Sequence, residues 1–282
     1  MISLHQILVS IILGVIQGIS EWLPISSKTQ ILIASQFLLN LSYQQAYTFG
    51  LFMEIGTLFA AIIYFRKELV SLIKVLIRRG TPEERKLFNF VLVSTIVTGI
   101  IGVPLYLYAD SLSNVYIGIP MMIMGIILFI DALLIKYART KYAKESNRHD
   151  LHSLRLRDYI FVGIAQGIAA LPGVSRSGAT TSTLLLLNVE AKEAFRLSFV
   201  DMIFATAASI GVTLVFSRHT VMGIIAQINI LGLAIAILVS TVISLFLIRF
   251  LLKIAANSKI VYLTFALGCI ALASGIILTI FH

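Results

Sequence analysis

The stretch Gly14-Val-Ile-Gln-Gly-Ile-Ser-Glu-Trp-Leu-Pro-Ile-Ser-Ser-Lys-Thr-Gln30 returns in outline in the second half of the chain, as Gly163-Ile-Ala-Gln-Gly-Ile-Ala and then Leu171-Pro-Gly-Val-Ser-Arg-Ser-Gly-Ala-Thr180. Both copies are polar islands in a sequence that is 59% hydrophobic and 12% charged, with a mean hydropathy of +0.98. That composition, with apolar runs of about twenty residues recurring along the chain, lies far outside the range of soluble domains and reads as an all-α polytopic membrane protein. In each copy a helix breaker interrupts an apolar run, Pro24 in the first and Pro172-Gly173 in the second, because proline lacks an amide donor and glycine permits a turn. Non-helical backbone at membrane depth survives only where protein or a wet cavity satisfies it, so the two breaks are expected to meet in the interior.

The placement of charge orients the chain. Of the 22 Lys and Arg residues, all but Lys28, Arg176 and Arg218 fall in four polar breaks, at 66–86, 136–157, 192–196 and 249–259. The positive-inside rule puts these four on the cytoplasmic face, so the net charge of +9 reports topology and anionic lipid headgroups, not nucleic acid. Six spans follow, at about 45–65, 88–108, 115–136, 194–216, 221–249 and 259–281, with a short external turn at Asp110–Asn114. Two apolar stretches remain, about 4–39 and 158–189, and each must leave and re-enter one side to keep the basic loops together. Each is therefore expected to be a re-entrant helical hairpin followed by three spans. Three is odd, so the halves (about 1–140 and 158–282 of a single integral membrane domain, 1–282) enter from opposite sides as an inverted-topology repeat. The first segment lacks a small-residue cleavage pattern and is read as part of the mature chain. The single cysteine, Cys269, supports neither an intrachain disulfide nor a thiolate metal site.

Arg176 is a guanidinium at membrane depth. Such a charge costs about 2.5–3.5 kcal/mol and cannot be relieved by losing a proton, so an anion is expected opposite it. Ser175, Ser177 and Thr180 add hydroxyls, and a helix starting after Gly173 would add amide donors. Phosphate or pyrophosphate fits this set, and so does a carboxylate that locks the two hairpins together. At the first break Gln17 and Glu21 project from one helix face, and Ser26, Ser27, Lys28, Thr29 and Gln30 follow. A carboxylate, hydroxyls and a cation around a phosphate can carry phosphoryl transfer. Glu21 would be base or metal ligand, a serine or water the nucleophile, and Arg176 with Lys28 would stabilise the transferring oxygens. Glu54 lies about halfway through the first span, and an ionisable group there joins the candidate set. Asp201 reads equally as a structural acid or a site member, whereas Asp131 is read as paired near the cytoplasmic surface. His5, His149, His152, His219 and His282 fall at predicted ends or loops and are read as surface residues.

The two motifs resemble those of the undecaprenyl-pyrophosphate phosphatase family of the bacitracin-resistance type, over essentially the whole chain. Pro172 to Thr180 matches the second motif throughout, and the first matches at Gly18, Glu21, Pro24, Ser26 and Ser27. The resemblance implies a membrane enzyme that removes the terminal phosphate of a polyprenyl diphosphate, with Glu21, Ser27, Ser175, Arg176 and Thr180 as functional positions. Gln17, Lys28 and Gln30 depart from it, standing where the family usually has glutamate, threonine and histidine. Glu54 stands where the family commonly has glutamine, so Glu21 and Glu54 are expected to form the acidic pair and to be the ligands if Mg2+ or Ca2+ is bound. Gln17, Ser26, Lys28, Gln30, Gly173, Ser175, Ser177 and Thr180 are expected around the substrate. The missing histidine and the repeat architecture also admit a non-catalytic transporter or flippase of a polyprenyl phosphate. The expected partners are the polyprenyl diphosphate lipid and the cell membrane, and a homodimer is left open.

Overall fold

The computed structural model describes residues 2–111, 118–141, 150–255 and 259–280, with no strand among them. The chain runs through α1 (Leu4–Ser20), α2 (Ser27–Leu39), α3 (Tyr43–Tyr64), α4 (Arg66–Leu76), α5 (Pro82–Ser111) and α6 (Gly118–Lys141). After one 3₁₀ turn at Leu151–Ser153 it continues through α7 (Leu156–Ile168), α8 (Arg176–Leu186), α9 (Ala191–Phe216), α10 (Arg218–Ile228), α11 (Ile230–Ala255) and α12 (Ile260–Ile280). Among the described residues five helices, α3, α5, α9, α11 and α12, are long and apolar enough to cross a membrane. They correspond to five of the six predicted spans. The sixth, 115–136, falls on α6, whose described apolar stretch is Met121–Ile130.

Two predicted boundaries are corrected. The span expected at 221–249 is divided: α10 ends at Ile228, Asn229 adopts a φ of 73°, and α11 starts at Ile230. Asparagine tolerates that positive φ, and its Oδ1 accepts the Leu231 amide at 3.1 Å, so one side chain ends a helix and starts the next. Of the external turn expected at Asp110–Asn114, Asp110 and Ser111 belong instead to α5, which continues through Ser111. The Asp110 carboxylate is held there by Thr48 Oγ1 at 3.1 Å. Asn114, His149 and His282 lie outside the described residues, as does the side chain of Asp131.

The two helix breaks occur where the prolines sit. α1 gives way to a turn that contains Pro24 and ends at Ser26, in left-handed backbone with a φ of 57°; α7 gives way to a turn in which Gly173 has a φ of 85°. α1 packs along α11 and α7 along α5, while α3 lies against α9 and α6 against α12. Glycines set the first two approaches: a Cβ on Gly14 would come within 2.7 Å of the Ala236 carbonyl, and one on Gly163 within 2.7 Å of the Ser94 carbonyl. Close backbone approach through small residues is how helices associate in lipid. Gly163→Ala should therefore lower the thermal midpoint in detergent, with an overpacking cost of about 1–3 kcal/mol. Gly211→Ala, whose added methyl meets nothing within 4 Å, should leave it unchanged or raise it.

Candidate active site

The turns after α1 and α7 meet. The Gly173 amide donates to Thr29 Oγ1 at 2.9 Å, and Ser175 and Ser177 hydroxyls reach the Leu23 carbonyl at 3.3 and 3.2 Å. Ser26 Oγ lies 3.0 Å from Thr29 Oγ1 and 3.4 Å from the Val174 carbonyl. Lys28 Nζ donates to the Ala169 carbonyl, and the Tyr47 hydroxyl to the Ala170 carbonyl at 2.7 Å. The carbonyls released by the break in α7 are thus satisfied by side chains of α2 and α3. This is the compensation that buried irregular backbone requires. The starts of α2 and α8 come together at this junction. Ser175 caps α8 through the Gly178 amide at 3.2 Å, whereas no side chain caps α2. Uncapped first-turn amides are anion donors.

Four buried charges gather around the junction. Glu54, at 0% exposure, faces the interior and pairs with Arg176, whose Nη2 reaches Oε1 at 2.6 Å and Oε2 at 2.7 Å. Arg176 Nη1 also donates to Thr206 Oγ1 at 2.5 Å. The anion opposite the guanidinium is therefore Glu54 of α3, the carboxylate alternative, although it ties α8 to α3 and not to the segment around the first break. Glu21 Oε2 accepts from Ser27 Oγ at 2.6 Å and from Gln17 Nε2 at 2.8 Å. Glu21, Lys28, Glu54 and Arg176 all lie within electrostatic reach of one another, two acids against two bases. A charge-balanced, hydrogen-bonded cluster is how such groups persist away from water.

The other predicted residues hold the frame. Thr180 Oγ1 donates to the Arg176 carbonyl at 2.9 Å and lies 2.5 Å from Ser198 Oγ, binding α8 to α9. Gln30 Nε2 donates to the Ile25 carbonyl at 3.2 Å, bracing the first turn. Asp201, read equally as a structural acid or a site member, is fully buried against Ser94 Oγ at 2.5 Å and Gln166 Nε2 at 2.9 Å. Tyr47, Ser198 and Thr206 were missed by sequence reasoning. Each is an ordinary hydroxyl within an apolar span, and only its partner across the bundle reveals its place. The described histidines His5, His152 and His219 are all exposed.

Glu21 and Glu54, the expected cation ligands, are each engaged by protein partners in this arrangement. Among the described residues there is no group of three His, Cys, Asp or Glu side chains. Both Glu54 oxygens are engaged by Arg176, and the remaining carboxylate, Glu21, shares the cluster with two cations. A cavity of about 70 Å3 adjoins the cluster, bounded by Lys28, Arg176, Tyr47, Gln166, Tyr106 and Val212. It runs from the two bases toward the ends of α5 and α9 remote from the basic loops, and its walls are mainly apolar.

The family model for bacitracin resistance protein BacA matches residues 10–275. The chain belongs to the BacA family. The match takes in both turns, all four buried charges and the helices that hold them. Among curated BacA-like relatives, a protein of Saccharolobus solfataricus named undecaprenyl-diphosphatase is 50% identical over 275 residues, covering 97% of each chain. One of Saccharolobus islandicus with the same name is 53% identical over 261 residues, 92% of each chain. Another so named, of Pyrobaculum aerophilum, is 38% identical over 275 residues, 97% of this chain and 98% of its own.

Proposed function

We propose that this membrane protein is a polyprenyl-diphosphate phosphatase of the undecaprenyl type, releasing inorganic phosphate and returning the monophosphate lipid. The observation that carries the reading is the Ser27–Glu21 contact at 2.6 Å, set beside Lys28 and Arg176 where α2 and α8 start. A hydroxyl within hydrogen-bond reach of a buried carboxylate is a nucleophile with its base. Glu21 takes the Ser27 proton as Oγ attacks the terminal phosphorus, the anhydride P–O bond breaks, and Glu21 passes that proton to the departing lipid monophosphate, which restores the carboxylate. Water, deprotonated by the same carboxylate, then cleaves the phosphoserine ester to inorganic phosphate. Gln17 holds Glu21 in place. Arg176 has five N–H donors, of which two go to Glu54 and one to Thr206, so two remain for phosphate oxygens. Lys28 and the amides at the start of α2 add positive charge where it accumulates in the transition state. No step is assigned to a divalent cation.

The inverted repeat is supported by reciprocal packing, in which the first arm of each hairpin lies on the other half's second long helix. Re-entrance is supported by length: at 1.5 Å per residue α2, α7 and α8 reach roughly 16–20 Å, short of the ~30 Å hydrocarbon core. With the basic loops cytoplasmic, residues 1–282 form one multi-pass domain of the cell membrane. Its cavity reaches from the charge cluster toward the outer face, and the apolar walls suit a lipid whose tail stays in the bilayer. Purified protein in nanodiscs should release phosphate from undecaprenyl diphosphate. Binding of undecaprenyl phosphate without any release would overturn the enzyme reading in favour of a lipid carrier.

A further inference from the structure

At the end of the bundle that carries the basic loops, α3 turns into α4 at Phe65, and beside this elbow runs α11. Between them lies an open groove of about 420 Å3 whose rim carries Arg66, Lys67 and Arg249 and whose floor includes Ile63, Leu245 and Phe246. The three cations are exposed, and none enters an ion pair among the described residues. The nearest acid in sequence, Glu68, pairs with Arg196 at 3.4 Å. The floor is exposed as well, Ile63 at 47% and Phe246 at 74%, a surface that water would penalise and acyl chains would cover. Along α4, Val70, Ile73, Leu76 and Ile77 form a second exposed apolar strip at helical spacing, flanked by Lys67 and Lys74. An amphipathic helix of this kind lies in the membrane interface, with its charges at headgroup level.

We propose that the groove is a binding site for an anionic phospholipid, its phosphate held by Arg66, Lys67 and Arg249 and one acyl chain laid over Ile63 and Phe246. Three cations with no ion pair among the described residues, beside an apolar surface, match an anion joined to a hydrocarbon tail. A free phosphate would leave the floor exposed, and a zwitterionic headgroup would leave the charge unmatched. On the topology above this is the inner leaflet, where anionic lipid is attracted to juxtamembrane basic residues. The site lies apart from Glu21, Lys28, Glu54 and Arg176, so it stands or falls independently of the catalytic reading.

The test is native mass spectrometry of the full chain in mixed micelles of phosphatidylglycerol and phosphatidylcholine, comparing wild type, Arg66→Gln/Lys67→Gln/Arg249→Gln, and Arg78→Gln/Arg79→Gln, which removes exposed charge outside the groove. Retention of phosphatidylglycerol over phosphatidylcholine should fall about fivefold for each groove cation removed and stay unchanged in the control. A single Arg249→Glu, checked for an unaltered thermal midpoint, changes the groove charge by two and should lower retention about 25-fold, which keeps the site testable if the triple variant folds poorly. Equal losses in groove and control variants, or unaltered retention in Arg249→Glu, would overturn the site. Displacement of the lipid by millimolar inorganic phosphate would also overturn it, as the mark of a free-anion site.

Discussion

Arg176→Ala abolishes phosphate release and destabilises the fold, and removing Glu54 as well restores stability without restoring activity. This is the largest effect expected. Arg176 donates twice to Glu54 and once to Thr206, all from buried positions, so truncating it leaves a carboxylate unpaired at the centre of the bundle. Breaking a buried pair from one side costs about 3–5 kcal/mol, whereas removing both partners costs much less. Its two remaining donors are assigned to the phosphate, and loss of an arginine at a transferring phosphoryl group lowers kcat by a factor on the order of 10³ or more. Thermal melting and phosphate release measured on wild type, Arg176→Ala and Arg176→Ala/Glu54→Ala separate the two roles. If Arg176 served only to hold α3 and α8 together, the double variant would regain both. Arg176→Lys should also stay inactive, because a single ammonium cannot span Glu54, Thr206 and a phosphate.

The partnership behind that result was only half legible in the sequence. An arginine at membrane depth announces that it needs an anion, and Glu54 in mid-span announces that it needs a cation. Yet 122 positions separate them, and sequence reasoning gave Arg176 a phosphate or an unnamed carboxylate while coupling Glu54 to Glu21. The missing information is the placement of the start of α8 opposite the middle of α3, which depends on how many side chains pack across the bundle and not on any local pattern. The turns were legible for the opposite reason. Pro24 and Pro172-Gly173 act through their own backbone, so the break is written in the residues that make it. Asn229 was passed over because one polar residue in an apolar run carries no signal until its positive φ is known. Asp201 shows the same limit: its burial could be expected, but Ser94 and Gln166 as its partners could not.

Glu21→Gln is expected to lower kcat by about 10²–10⁴ while leaving KM within a few fold, the range for removing a positioned general base. The substitution keeps the side-chain shape, and the amide can still meet Ser27 and Gln17, so folding should be spared. Ser27→Ala then decides the nucleophile. If Ser27 attacks phosphorus, its removal abolishes turnover and any phosphorylated intermediate, and the release of the lipid monophosphate in a pre-steady-state burst disappears with it. If water attacks directly, Ser27 only orients Glu21 through the 2.6 Å contact, and Ser27→Ala retains a substantial fraction of the rate. A rate surviving in Ser27→Ala but not in Glu21→Gln would move the nucleophile from Ser27 to water and leave the carboxylate as the base in either case.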